Sequence, residues 1–240
     1  MCSINNKSEN IAKILVAVVV IIFVCLNIYL GIRAEAEKIT PIITGSGETV
    51  VCCVGDSITY GRGLKHRKTE AYPSVLQGLL GEGYTTHNYG YSRRCAINAA
   101  DYPYVMEEYY IKTLELNADI YIIMLGTNDT KPYNWDATAY HEDLKNIVDS
   151  YKITGAKVYL MQPPACFTAE GSDTVAFDID GQIVAKELQQ IVAQVAAESE
   201  VSLIDLYTPT KDHKEWFADG VHPNAEGTQQ LAKIIYENMK

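Results

Sequence analysis

Along most of this chain, short apolar runs alternate with longer stretches of helical periodicity. Thr49 to Val54 is almost wholly apolar and closes on Gly55, the pattern of a strand buried on both faces. A helix is predicted over Ala71–Leu80, where Pro73 falls in the tolerant first turn. A weaker strand over Tyr84–Asn88, a helix over Tyr104–Leu116 and a strong strand over Asp119–Leu125 follow. The alternation continues with helix Asp136–Thr154, strand Lys157–Met161, helix Asp180–Glu198, strand Val201–Leu206 and helix Ala225–Tyr236. Five such alternations imply the α/β class: a five-stranded parallel sheet with right-handed crossovers and helices on both faces, a three-layer α/β/α sandwich.

A different pattern precedes this body. Every residue from Ile14 to Leu26 is apolar, and the run continues past Asn27 to Ile32. Nineteen residues at about 1.5 Å each make a helix of roughly 28 Å, close to the hydrocarbon thickness of a bilayer. A buried core helix would show polar residues on at least one face; here no face is polar, which predicts a transmembrane segment. Ala34-Glu35-Ala36 resembles a signal-peptidase site, but the apolar run exceeds the usual signal length, so an uncleaved anchor is favoured over secretion after cleavage. Flanking charge is balanced between Lys7 and Lys13 on one side and Arg33 and Lys38 on the other. The short N-terminal tail favours export of the long C-terminal part. The organisation expected is a tail with anchor or signal segment over 1–35, a linker over 36–48 containing Pro41 and Gly45-Ser46-Gly47, and a folded domain over 49–240.

Composition narrows the function classes. A chain of 240 residues, 48% hydrophobic and 21% charged, is large enough to hold a core without metal or disulfide staples. The net charge of −10 argues against a nucleic-acid partner, because phosphate neutralisation needs surplus Lys and Arg. Residues 1–35 carry three basic and two acidic side chains, so the remainder is slightly more acidic, at −11. None of the six cysteines has zinc-site spacing. Cys52-Cys53 belongs to a strand core, and a Cys95–Cys166 disulfide is conceivable outside the cytoplasm. No GxGxxG follows the first strand and no GxxxxGK[ST] occurs, so no nucleotide, cofactor or metal is expected.

In open parallel sheets, ligands bind beyond the carboxyl ends of the strands. After the first strand comes Gly55-Asp56-Ser57-Ile58-Thr59-Tyr60-Gly61, a strand-to-helix turn that can expose a serine hydroxyl and its own N–H. Asp56 fits a turn-fixing role. After the third strand, Gly126-Thr127-Asn128-Asp129 brings an Asn to the same edge. After the fifth, Asp219-Gly220-Val221-His222-Pro223 sets an Asp and a His three residues apart, so a carboxylate can orient an imidazole whose other nitrogen faces a serine. The other histidines, His66, His87, His141 and His213, show no metal spacing.

These three blocks, in this order at these strand ends, resemble the SGNH (GDSL) hydrolase family of serine esterases and lipases, over roughly residues 48–240. The run AYPSVLQGLLG after the nucleophile, GTNDTKPYNW in the middle and FADGVHPNAEGTQQLA at the end are similar to bacterial carbohydrate O-acetylesterases of the sialate and xylan type. The resemblance implies a flavodoxin-like sandwich with Ser57 as nucleophile, His222 as general base and then acid, and Asp219 orienting the imidazole. It implies an oxyanion hole built from the N–H of Ser57, the N–H of Arg93 and the side-chain amide of Asn128. At Arg93 the chain departs from the family, which commonly carries Gly after Ser in this loop; a non-Gly residue there still donates its N–H if the loop does not require positive φ. Arg93 and Arg94 either meet an anionic substituent or are simply solvated. Gly90 and Trp135 are candidate substrate-binding positions, with core packing an equal reading for Trp135. The loop from Pro163 to Asp178, carrying Phe167 and Phe177, is a candidate pocket wall.

The function so implied is a membrane-tethered esterase with an extracytoplasmic catalytic domain. Its expected substrate is a small acyl ester, foremost an O-acetyl group on a glycan. Lysophospholipid or other lipid esters, acetyl transfer to a sugar, and glycan binding by an inactive domain are the alternatives.

Overall fold

The computed structural model describes residues 47–168 and 171–240. The expected membrane segment at 14–32, the boundary at 35 and nearly all of the linker lie outside the described residues. Among the described residues, no helix is long and apolar enough to cross a membrane.

Five parallel strands form one sheet: β1 (Thr49–Gly55), β2 (Tyr84–Gly90), β3 (Ile120–Met124), β4 (Lys157–Gln162) and β5 (Ser202–Asp205). Their spatial order is β2-β1-β3-β4-β5. The expected class and strand count are those observed. Alternation along each strand divides its side chains between two cores. Val50, Cys52 and Val54 of β1 join Tyr121 and Ile123 of β3 on one face. Val51 and Cys53 join Ile122, Met124 and Tyr159 on the other. Cys52 and Cys53 are both fully buried, and Cys52, Cys53, Cys95 and Cys166 are free thiols.

Each face is covered by helices presenting one apolar stripe. On the first face, Leu144, Ile147, Val148 and Tyr151 come from Ala137–Lys152, and Val192, Val195 and Ala196 from Gln189–Glu198. On the second, Tyr72 and Leu76 of Tyr72–Leu80 meet Leu231, Ala232 and Ile235 of Ala225–Met239. Removing one fully buried leucine from such a stripe costs about 2–5 kcal/mol.

The predicted boundaries shift by a residue or two where a cap stands outside its helix. Asp136 accepts from the N–H groups of Thr138 and Ala139, and Asp180 from those of Gln182 and Ile183, so both are caps and not the first helical residues. The helix expected over Tyr104–Leu116 is a 3₁₀ turn, Tyr104–Met106, and then a helix, Glu108–Glu115. Between them Glu107 is extended, and its carboxylate pairs with Arg94 at 2.6 Å. The helix expected over Asp180–Glu198 contains a π-helical turn, Val184–Leu188, whose opened carbonyl at Val184 receives the side-chain amide of Gln189 at 2.8 Å.

Candidate active site

The carboxyl ends of β1, β2 and β3 lie side by side, with Gly55 in register with both Gly90 and Met124. The chain leaves β1 at Asp56, which caps the one-turn helix Ser57–Tyr60 by accepting the N–H of Ile58 at 2.8 Å. Ser57 is the first residue of that turn. Its N–H has no hydrogen-bond partner among the described residues. The turn packs against the end of β2 so closely that a Cβ at Gly90 would stand 2.1 Å from the Tyr60 nitrogen. Gly90 is therefore buried scaffold under the Ser57 turn and is not among the residues lining the pocket.

The Asp219–His222 turn closes over Ser57 from the other end of the chain. His222 Nε2 lies 2.9 Å from Ser57 Oγ, and His222 Nδ1 lies 2.7 Å from Asp219 Oδ2. Asp219 Oδ1 also accepts the backbone N–H groups of Val221 and His222, at 3.0 and 2.7 Å. Burial works against the Asp219 carboxylate, but these N–H groups and the imidazole outweigh it and hold its pKa below the ordinary value. A carboxylate only accepts, so Nδ1 carries the ring proton and Nε2 is left to accept the serine proton. His222 is itself buried. Burial pushes its pKa down, Asp219 pulls it up, and the Arg62 charge pushes it down again, with a net lowering. The imidazole is thus neutral and able to act as a base at neutral pH.

The third strand end supplies Asn128. Its side-chain NH₂ donates to Asp56 Oδ2 at 3.1 Å and to the carbonyl of Arg94 at 3.3 Å, while lining the same pocket as Ser57 and His222. Next to it Asp129 is fully buried and accepts the N–H groups of Ala96 and Ile97, at 3.1 and 2.8 Å. Asp129 thereby pins the loop after β2 to the loop after β3. Burial pushes both Asp56 and Asp129 up to about 7, against the N–H groups that pull them down.

Arg93 stands in that pinned loop with φ +72°, in the left-handed region. The loop thus requires the conformation that glycine adopts freely, at a cost of about 1–2 kcal/mol for a residue with a Cβ. The Arg93 N–H is present and has no hydrogen-bond partner among the described residues.

The two arginines have separate fates. Arg93 lines the pocket with its side chain exposed. Arg94 is buried away from it, bonded to Glu107 and to the Ser92 carbonyl, with its guanidinium 3.9 Å from the Tyr91 ring centre. Trp135 also turns away: it packs on Tyr140, at 5.4 Å between ring centres, and donates to Glu187. Of the loop aromatics, Phe177 stands edge-on to His222 at 5.2 Å, whereas Phe167 packs on Phe217.

The pocket above Ser57 has a volume of about 160 Å³. Its rim includes Arg62 and Lys131, which the sequence reading missed. Arg62 follows the Ser57 turn, and its N–H donates to the Ser57 carbonyl at 2.9 Å; its place one residue beyond Gly61 was the available signal. Among the described residues, no three His, Cys, Asp or Glu side chains converge as metal ligands.

The chain is 31% identical over 211 residues to an acetylxylan esterase of Xylanibacter ruminicola, a match covering 79% of this chain. It spans only 43% of that relative's length. A carbohydrate acetylesterase from Sinorhizobium meliloti superposes with a TM-score of 0.65 at 22% identity, over 80% of this chain and 98% of that one. An aryl esterase from M. smegmatis gives 0.67 at 20% identity, again over 80% and 98%. At such identities the two structures speak for the fold. Residues 53–230 match the GDSL-like lipase/acylhydrolase family, and with its three blocks brought to one sheet edge the chain belongs to that family.

Proposed function

We propose that the domain is a serine esterase that removes small acyl groups, in the first place acetyl from a carbohydrate hydroxyl. The observation that carries this reading is the relay from Asp219 through His222 to Ser57 at 2.7 and 2.9 Å, opening into a pocket of about 160 Å³. Pockets for drug-sized ligands run from roughly 300 Å³ upward, so this one suits a short acyl group better than a fatty chain. The acetylxylan and carbohydrate acetylesterases among the similar proteins support the same substrate class.

In the proposed reaction Ser57 Oγ attacks the ester carbonyl while His222 Nε2 takes its proton. The oxyanion meets the unengaged N–H groups of Ser57 and Arg93. Asn128 joins them by exchanging its longer bond, to the Arg94 carbonyl, for the new charge. The imidazolium returns the proton to the departing sugar oxygen, leaving an acyl-enzyme. Water, deprotonated by His222, then attacks the acyl carbon; the bond to Ser57 Oγ breaks, His222 returns the proton to that oxygen, and the acid leaves. We further propose that residues 14–32 hold this domain to a membrane on its extracytoplasmic side; release of the full-length protein from membranes by alkaline carbonate would overturn that placement.

A fluorophosphonate probe tests the chemistry, with labelling of the parent and none of Ser57→Ala expected. Ser57→Ala should also lower kcat on p-nitrophenyl acetate about a millionfold, leaving only the residual acceleration from the oxyanion donors and binding. Parent-like turnover by that variant would refute the assignment. A panel of esters from acetyl to palmitoyl should favour acetyl, and a preference for long chains would refute the glycan reading in favour of a lipid ester.

A further inference from the structure

We infer that Phe177 is a positioning residue of this site: its ring, set by a strained backbone turn and by Arg62, holds the His222 imidazole on Ser57. The inference rests on the esterase reading above and adds a residue that acts through the general base.

Phe177 and the next residue, Asp178, both have left-handed backbones, at φ +63° and +59°. Asp visits this region readily, but a bulky Phe there is an outlier. Such strain persists only where the surroundings over-determine it, and it gathers at active sites. Core burial is not what holds the ring, because Phe177 is 44% exposed. What surrounds it is catalytic. Phe177 lines the pocket above Ser57, and its ring stands edge-on to His222 at 5.2 Å between centres. The Arg62 guanidinium lies 5.1 Å from the centre of the same ring, and the Arg62 N–H is bonded to the Ser57 carbonyl at 2.9 Å. Contacts therefore run unbroken from the Ser57 backbone through Arg62 and Phe177 to the base.

The loop after β4 that carries Phe177 also grips the Asp219–His222 turn. Phe167 of that loop donates its N–H to the Gly220 carbonyl at 2.8 Å. A Cβ at Gly220 would stand 2.2 Å from the Phe167 carbonyl oxygen, so the two backbones are in direct contact. This brace matters because hydrogen bonds alone do not hold His222 through the reaction. Nε2 loses the Ser57 hydroxyl once that oxygen carries the acyl group, and Asp219 is then the imidazole's one remaining catalytic partner. A ring contact outlasts that step and keeps Nε2 aimed at the acyl-enzyme for the attacking water.

The test compares the full-length parent with three variants of residue 177. Phe177→Ala should lower kcat on p-nitrophenyl acetate about ten- to a hundredfold, the loss expected when a reacting group is misplaced by about 1 Å, with little change in KM. Labelling of Ser57 by a fluorophosphonate should slow in the same variant, since fluoride departs there and no sugar or aryl group needs a binding face. Phe177→Tyr keeps the ring and should recover most of kcat. Phe177→Gly relieves the backbone strain without restoring the ring, so it should melt above Phe177→Ala yet share its low kcat. A kcat within about threefold of the parent in Phe177→Ala, a loss confined to KM, labelling at the parent rate, a Phe177→Tyr as slow as Phe177→Ala, or recovery of kcat in Phe177→Gly overturns the inference and leaves the esterase reading intact. A parent that neither turns over p-nitrophenyl acetate nor is labelled overturns both.

Discussion

Asn128 presents the sharpest tension between scaffold and chemistry, because both of its amide hydrogens are already used. One goes to Asp56 Oδ2 at 3.1 Å and the other to the Arg94 carbonyl at 3.3 Å. As an oxyanion donor, Asn128 must give up one of them, and the longer, neutral bond is the weaker. Asn128→Ala removes the donor, and kcat should fall about 10²- to 10³-fold, equivalent to about 2.7–4 kcal/mol. The same substitution strips a donor from the buried Asp56 carboxyl, which costs about 1–3 kcal/mol of stability. For a domain of this size that lowers Tm by roughly 2–12 °C. Initial rates on p-nitrophenyl acetate, run well below the variant's Tm, separate the two effects. The expected signature is a large loss in kcat with little change in KM, since the bond forms only as charge develops on the oxygen. A variant with lowered Tm but kcat within threefold of the parent would show that Asn128 is a clamp on Asp56 and the Arg94 loop, and the oxyanion argument would fail.

Three further outcomes follow from the geometry. His222 must be neutral to accept the serine proton and its pKa is lowered, so kcat/KM should rise with pH along a limb centred below 6.5; Arg62→Gln should move that limb upward, and a parent limb above 6.5 would contradict the burial argument. Arg93→Gly should melt about 2–4 °C above Arg93→Ala, because only glycine relaxes at φ +72°, and equal Tm values would mean that the loop does not hold that conformation. Gly90→Ala places a Cβ 2.1 Å from the Tyr60 nitrogen, so it should destabilise by about 1–3 kcal/mol or more and displace the nucleophile turn, and a parent-like Tm in denaturation would contradict the packing.

What could be read from the sequence divides along a physical line. Strands β1 and β3 were legible because a strand covered on both faces must be apolar throughout, and Ser57, Asn128, Asp219 and His222 because each sits directly after a strand or in a fixed-spacing turn. For Trp135 the packing and substrate readings stood equal, and Gly90 was a candidate contact, because proximity in sequence to a site residue says nothing of the direction a side chain takes. Trp135 follows Asn128 by seven residues yet turns back to Tyr140 and Glu187, and Gly90 serves a close approach that only three dimensions reveal. Arg94 was indistinguishable from Arg93 in the sequence, since the Glu107 that claims it lies thirteen residues on, at a break in a helix that periodicity ran straight through.

The same line explains why the pocket's charge was invisible. Composition reported an acidic chain, and that sum is dominated by solvated carboxylates that never approach Ser57. Selectivity in a small pocket depends on which charges remain unpaired at its wall, and pairing is a property of the fold. Arg93 joins both levels: its backbone holds a left-handed conformation with its N–H unpartnered among the described residues, and its guanidinium lies 5.9 Å from the centre of the Tyr102 ring. Arg93 thus carries a Cβ at a backbone position that favours glycine, and only the fold shows it.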